Sequence, residues 1–148
     1  MRISWSQPYN GGSNITAYQI EILQSDGVTF SPELSFCDGS TTTAVTTLSC
    51  SIPVSTLRTT PFSLTFGATV VARVQAINVY GPSAFSISGG SGVLITNPDP
   101  PTSLAEIFSG RTATTLRISW SDGPSNGGSP IIDYAVYSDQ GLLTWTLL

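Results

Sequence analysis

Apolar residues along this chain recur mostly at every second position, the period of a strand with one buried face. Ile3 and Trp5 alternate with Arg2, Ser4 and Ser6, while Tyr18, Ile20 and Ile22 alternate with Gln19 and Glu21. A long run over 69–78 puts Val70, Ala72, Val74 and Ala76 on one face. Further strands are expected over 15–23, 28–36, 48–52 and 84–96. The clusters Asn10-Gly11-Gly12-Ser13, Asp26-Gly27 and Tyr80-Gly81-Pro82 separate them as turns, and Asp-Gly is a strong hairpin signal. Residues 60–67 read as an irregular connection, and Gly89-Gly90-Ser91-Gly92 as a bulge or kink in an edge strand. No amphipathic helix is expected. Short strands at near-regular spacing, divided by Gly and Pro turns, predict an all-β sandwich.

The chain also repeats itself. Arg2-Ile3-Ser4-Trp5-Ser6 returns unchanged as Arg117-Ile118-Ser119-Trp120-Ser121, 115 positions later. Pro8-Tyr9-Asn10-Gly11-Gly12-Ser13 answers Pro124-Ser125-Asn126-Gly127-Gly128-Ser129, and Ile15, Tyr18 and Ile20 answer Ile131, Tyr134 and Val136, with one extra residue around Gly123. Asn97-Pro98-Asp99-Pro100-Pro101 makes a stiff, extended linker, and a strand over 102–108 opens the second copy. Self-similarity of this length marks a tandem array of whole domains rather than a short-period solenoid. The expected organisation is a nearly complete module over 1–97 and a partial second module over 98–148.

These residues resemble the fibronectin type III family. Its pattern runs from a Pro-rich opening with a Leu (Pro98-Asp99-Pro100-Pro101-Thr102-Ser103-Leu104) to a strand B Trp (Trp5, Trp120) and a Gly-Gly turn. Strand C follows as Ile-x-x-Tyr-x-Ile/Val (Ile15, Tyr18, Ile20; Ile131, Tyr134, Val136), and strand F as Arg73, Val74, Ala76, Asn78 and Gly81. The resemblance spans nearly the whole chain. It implies an immunoglobulin-like β-sandwich in which the first module lacks strand A and the second holds strands A, B, C and C′. It also implies a core containing Trp5, Tyr18, Ile20, Val74, Ala76, Trp120, Tyr134 and Val136. The Asn-Gly-Gly-Ser turn combined with a Cys pair is similar to tandem modules of microbial and protist surface proteins. One position departs: where the family's strand F carries a Tyr that anchors the E–F corner, this chain has Val70. The Cys37–Cys50 bridge is the expected substitute.

Composition narrows the chemistry. Lys+Arg number 5 against 9 Asp+Glu, the net charge is −4, and His and Lys are absent. So few cations cannot neutralise a phosphate backbone, which argues against a nucleic-acid partner. Without His the commonest general base and metal ligand is missing, and neither catalysis, a cofactor nor a metal is expected. Asp26, Asp38, Asp122, Asp133 and Asp139 are scattered, and the first three each precede Gly, which reads as turn chemistry rather than a calcium site. Cys37 and Cys50 have no His partner for metal binding or nucleophilic work, so they read as a disulfide, which belongs outside the cytosol. Ser and Thr together make up 41 residues, a composition common on secreted surfaces. Asn14-Ile15-Thr16 is an N-glycosylation sequon. Trp5 and Trp120 sit on the inward phase, whereas Tyr9, Phe62, Phe66 and Phe85 read as exposed contact residues. No apolar run is long enough to span a bilayer.

The register of the repeat has a further consequence. The chain runs about 33 residues into its second copy, so Ile118, Trp120, Tyr134 and Val136 lack an opposite sheet. Leaving each exposed forfeits roughly 1.5–3 kcal/mol. Either the chain is a window on a longer tandem polypeptide, the favoured expectation, or neighbouring copies complete one another by strand donation. The expected function is a non-enzymatic extracellular structural repeat of a filament, surface fibre or stalk, with neighbouring copies or adjacent repeats and glycans as partners. The alternative is an adhesin, or the carbohydrate-binding spacer array of a secreted enzyme.

Overall fold

The computed structural model describes residues 1–139, 141 and 143–148. The protein is all-β, with antiparallel sheets and two short helices among the described residues. It divides into two compact units, Met1–Thr96 and Asn97–Leu148.

The first unit contains β1 (Arg2–Ser4), β2 (Ala17–Leu23), β3 (Phe30–Pro32), α1 (Thr42–Thr47), β4 (Ser49–Ser51), α2 (Val54–Leu57), β5 (Thr69–Asn78), β6 (Gly81–Pro82) and β7 (Gly89–Val93). One sheet runs β3–β2–β5–β6, with β7 also paired to β5; the other is β1–β4. The main ladder joins β2 to β5 from Ala17↔Ile77 to Ile22↔Ala72. That register turns Tyr18, Ile20, Ile22, Ala72 and Ala76 inward together, and all are buried. Ile52, Leu57, Phe62, Leu64 and Leu94 complete the core, with Ile3, Trp5 and Cys50 of the small sheet packed against it. Two sheets sharing one apolar layer make a sandwich, and each fully buried large side chain contributes roughly 1.5–3 kcal/mol.

Local polar chemistry reshapes several expected strands. The strand over 28–36 stops at Pro32, because the Glu33 carboxylate accepts from the Ser35 and Phe36 amides at 3.2 and 2.7 Å and folds the chain into a turn. Between the cysteines the chain forms α1, which was not expected. The Thr41 hydroxyl caps it by accepting from the Ala44 amide at 3.2 Å, Ala44 faces the core, and Leu48 ends it at φ 53°. Helices of six and four residues are too short to leave a 3.6-residue periodicity in the sequence.

Of the strand expected over 84–96 only β7 forms, and Gly81–Pro82 of the expected turn pairs with β5 as β6. Between them Ser83 and Ser86 substitute for ladder carbonyls, since their hydroxyls accept from the Ala76 and Val74 amides at 3.0 and 3.1 Å. The glycine cluster does coincide with a register shift against β5. A Cβ on Gly90 would collide with the Val70 carbonyl, so the close approach requires glycine there.

The segment between β4 and β5 is anchored by its own side chains rather than by the disulfide. Leu57, Phe62 and Leu64 are buried, the Leu64 amide donates to the Leu57 carbonyl at 2.9 Å, and the Ser25 amide to the Phe62 carbonyl at 2.9 Å. Phe62, expected on the surface, is 1% exposed. The Cys37–Cys50 bridge instead ties the turn after β3 to β4.

The second unit contains β8 (Thr102–Glu106), a 3₁₀ turn over Phe108–Gly110, β9 (Ile118–Ser121), β10 (Tyr137–Ser138) and β11 (Thr146–Leu147). β8 pairs with β9 and β10 with β11. Residues 131–136, expected to form strand C, carry no ladder: among the described residues this unit has no counterpart of β5, the strand against which β2 forms.

Replacing Phe62 with Ala removes the ring that fills the β4–β5 connection. It is expected to lower the unfolding free energy by about 3–5 kcal/mol in urea denaturation, whereas Tyr9→Ala, at a fully solvated position, is expected to change it by less than about 0.5 kcal/mol.

Candidate functional site

The small sheet of the first unit pairs β1 with β4, and a groove runs beside it. β1 bonds to β4 through Met1, Ile3 and Trp5: Ile52 N–H donates to the Met1 carbonyl at 2.8 Å, Trp5 N–H to the Leu48 carbonyl at 3.0 Å, and Ile3 lies opposite Cys50. In an antiparallel ladder alternate residues bond to opposite sides, so the backbone groups of Arg2, Ser4 and Ser6 point away from β4. No strand pairs with β1 there among the described residues. Beside that edge lies a groove of about 630 Å³, running from β1 across β5 to β7, lined by Ile3, Trp5, Val74, Ala76, Ser86 and Gly89. Trp5 and Val74 are half-buried along the groove and pack against the core. Tyr18, Ile20 and Ala76 are fully in the core.

The repeated residues reproduce one packing unit. Trp5 meets Tyr18 with ring centroids 5.3 Å apart and planes tilted 58°; Trp120 meets Tyr134 at 5.4 Å and 60°. Tilted aromatic pairs at this separation are favourable. Burial raises the Tyr18 hydroxyl pKa, and the Trp5 indole nitrogen meets no acceptor at hydrogen-bonding geometry, so its opposing influence is slight. Tyr134 donates to the Asp122 carboxylate, which together with partial desolvation raises the Tyr134 pKa. Trp120, Tyr134 and Val136 are half-buried. Trp145 is 70% exposed.

The outer face of the large sheet carries a cluster that the sequence pattern did not single out. The register sets Arg73 opposite Glu21, and the guanidinium bonds the carboxylate at 2.9 and 2.6 Å. It also lies between the rings of Phe30 and Phe85, at 4.2 and 4.3 Å from their centroids. Gln75 donates to the Gln19 side chain at 2.8 Å on the same face. A planar cation held between two rings and a carboxylate is a stabilising clamp. Phe66 is similarly covered, by Arg58 at 3.8 Å. Phe66 and Phe85 are therefore half-buried beneath arginines, which corrects their expected exposure. Only the alternation of Glu21 and Arg73 with the inward residues hinted at this cluster; its aromatic walls come from different strands and loops.

The remaining candidate residues occupy separate places. Cys37, 2% exposed, is bridged to Cys50 with Cα atoms 5.1 Å apart. The bridge packs beside Gly39, whose carbonyl accepts from the Tyr18 amide at 2.9 Å and whose position would bring a Cβ into the Tyr18 backbone. Asn14 is exposed just ahead of β2. Asp26 accepts from the Val28 and Thr29 amides, each at 2.9 Å, and Asp38 from the Ser40 amide and hydroxyl. Hydrogen bonds from Thr29 and Ser40, side chains first, hold both carboxyls below the ordinary aspartate range. Among the described residues no three His, Cys, Asp or Glu side chains gather as a metal site. Among the described residues no helix is long and apolar enough to cross a membrane. At one end of the sandwich Asn78 donates to the Asn10 carbonyl at 3.1 Å, joining the loops that display Tyr9 and Tyr80, 90% and 88% exposed.

Compared with protein-family models and with curated proteins, the chain finds no match.

Reducing the Cys37–Cys50 bridge is expected to lower stability by about 3 kcal/mol, from the loop of about 14 residues it closes. Urea denaturation with and without reductant reads this as a fall in midpoint, and a loss well under ~2 kcal/mol would contradict it. The Asp26 and Asp38 turns carry the sign of a depressed pKa: their contribution is complete above the unfolded aspartate value of about 3.9 and disappears as pH falls through the lower folded value. Carboxyl carbon shifts in an acid titration should therefore move later, on acidification, than those of a reference aspartyl peptide.

Proposed function

We propose that the chain is a non-enzymatic, extracellular structural repeat of the fibronectin type III kind, a building block of a filament, surface fibre or stalk. The observation that carries this reading is the repetition of the Trp–Tyr pair, at 5.3 Å and 5.4 Å with nearly equal tilts, in two successive units. A sequence that rebuilds the same packing unit after 115 residues is organised as an array. The pairing of β1 with β4, opposite a sheet in which β2 lies between β3 and β5, supports the family assignment. The buried disulfide suits an oxidising, extracellular setting. Stiffness follows from the proline linker and the bridge, and identical head-to-tail contacts generate filaments when the rotation between copies does not close.

An adhesive or carbohydrate-binding role is favoured by a single observation, the two solvated tyrosines on joined loops at one end of the first unit. Amphipathic rings presented this way suit contact with a partner surface or a sugar face. The exposed Asn14 gives the same unit an attachment point for a glycan.

Electron microscopy and sedimentation of the purified, oxidised chain across a concentration series test the array reading. Extended particles with a regular repeat are expected, and compact monomers at every concentration would overturn it.

A further inference from the structure

The two copies of the Asn-Gly-Gly-Ser motif fold into the same turn. Ser13 N–H donates to the Asn10 carbonyl at 3.2 Å, and Ser129 N–H to the Asn126 carbonyl at 3.4 Å. Gly11 and Gly12 lie at φ 67° and 84°, Gly127 and Gly128 at 70° and 86°. In both copies the asparagine side chain folds back over the turn. Its Oδ1 accepts from the second glycine amide, at 2.9 Å in the first copy and 3.0 Å in the second. The first glycine amide is what differs. Gly127 is buried, and its N–H donates to the Ser125 hydroxyl at 3.1 Å. Tyr9 stands where Ser125 does and carries no hydroxyl on its Cβ. Gly11 is exposed, and its N–H meets no acceptor among the described residues.

We propose that Asn10 is a site of covalent modification, a spontaneous conversion to aspartyl and isoaspartyl residues that Asn126 largely escapes. Glycine puts no side chain beside the attacking nitrogen, and the space where a Gly11 Cβ would stand has no heavy atom within 4 Å. Water or hydroxide therefore reaches the Gly11 amide and takes its proton. The nitrogen attacks Asn10 Cγ, the Cγ–Nδ2 bond breaks, and ammonia leaves as a five-membered succinimide closes. Water then adds to one of the two imide carbonyls, giving an aspartyl residue by one opening and an isoaspartyl link by the other. No oxidant or reductant takes part. At Asn126 the Gly127 proton is shielded by burial and held by Ser125, so the nucleophile forms less often. The isoaspartyl link routes the main chain through Cβ and Cγ and turns the former Asn10 carbonyl into a free carboxylate. That carbonyl is the group that receives the Asn78 side chain at 3.1 Å and the Ser13 amide. The added methylene displaces it, and the joint between the loops displaying Tyr9 and Tyr80 opens. The solvated end of the first unit thus changes with the age of the molecule.

This goes beyond the array reading and does not rest on it. The test holds the full chain at neutral pH and body temperature, samples it over weeks, and cleaves it after arginine. Cleavage at Arg2, Arg58 and Arg117 puts Asn10 and Asn126 in separate peptides, 3–58 and 118–148, so one sample reports both. Mass gain gives the extent of conversion, and electron-transfer fragmentation locates it and tells isoaspartate from aspartate. Asn10 is expected to convert about fivefold faster than Asn126, the factor that one ordinary hydrogen bond supplies. Tyr9→Ser, at a solvated position, should slow Asn10 to the rate of Asn126, and Ser125→Ala should speed Asn126 about fivefold. Equal rates at the two sites, or no response to either substitution, would overturn the proposal. In the isoaspartyl molecules the Asn78 side-chain amide resonances should move to those of a solvated asparagine, and unmoved resonances would overturn the opening of the joint. Filament formation by the freshly purified chain is read separately, so the array reading and this one fail independently.

Discussion

The first unit depends on the pairing of β2 with β5. Six consecutive residue pairs, from Ala17↔Ile77 to Ile22↔Ala72, hold one register. A slip of one residue would turn Tyr18, Ile20 and Ile22 to solvent at a stroke. The same register fixes the outer face, since Glu21 can meet Arg73, and Gln19 can meet Gln75, only when the strands are in step. Inner and outer faces therefore enforce one alignment, and the arginine clamp between Phe30 and Phe85 adds a second, polar check on it. β3, β6 and β7 attach to this pair, and the small sheet closes over it.

Along the far side of β5 the protein trades main-chain ladder for side-chain hydrogen bonds. The Ser83 and Ser86 hydroxyls serve the Ala76 and Val74 amides, so the chain after β6 satisfies β5 without lying as a continuous strand against it. A hydroxyl can satisfy a buried amide as well as a carbonyl does. The consequence is a wall of varied depth opposite β1, and with it a groove flanked by an open edge. In the second unit the same Trp strand is paired on that edge with β8.

The inward positions of the strands were legible from alternation alone. Tyr18, Ile20, Ile22, Val70, Ala72 and Ala76 are strictly periodic and are buried. The turns at 10–13 and 26–27 were legible from their Asn, Asp and Gly residues, whose side chains close them. What escaped was decided by single polar groups or by distant partners. Glu33 converts an apparent strand into a turn, and Thr41 caps a helix of six residues. Phe62 reads as a surface aromatic in a Pro/Thr-rich stretch, but its neighbours in space are Leu57 and Leu64 beneath the β4–β5 connection. Residues 131–136 repeat the β2 motif without forming its ladder, because a strand exists only with a partner to receive its hydrogen bonds. The candidate site divides the same way: the Cys pair, the sequon and the Trp–Tyr motif stand in the sequence, whereas the open edge does not.

By itself the sequence determined the period of the strands, the length of the repeat and the chemical poverty of a chain with no histidine and few cations. These properties are local or compositional, and alternation needs no knowledge of what lies across the core. Tertiary structure decided which strands pair, where Arg73 finds its rings, and that the repeated pentapeptide pairs with β4 through β1 in one unit and with β8 through β9 in the other. The physical reason is that hydrogen-bond partners and opposing sheets come from residues far away along the chain. A pentapeptide specifies which of its atoms can bond on each side, and only the assembled fold shows which partner each copy meets.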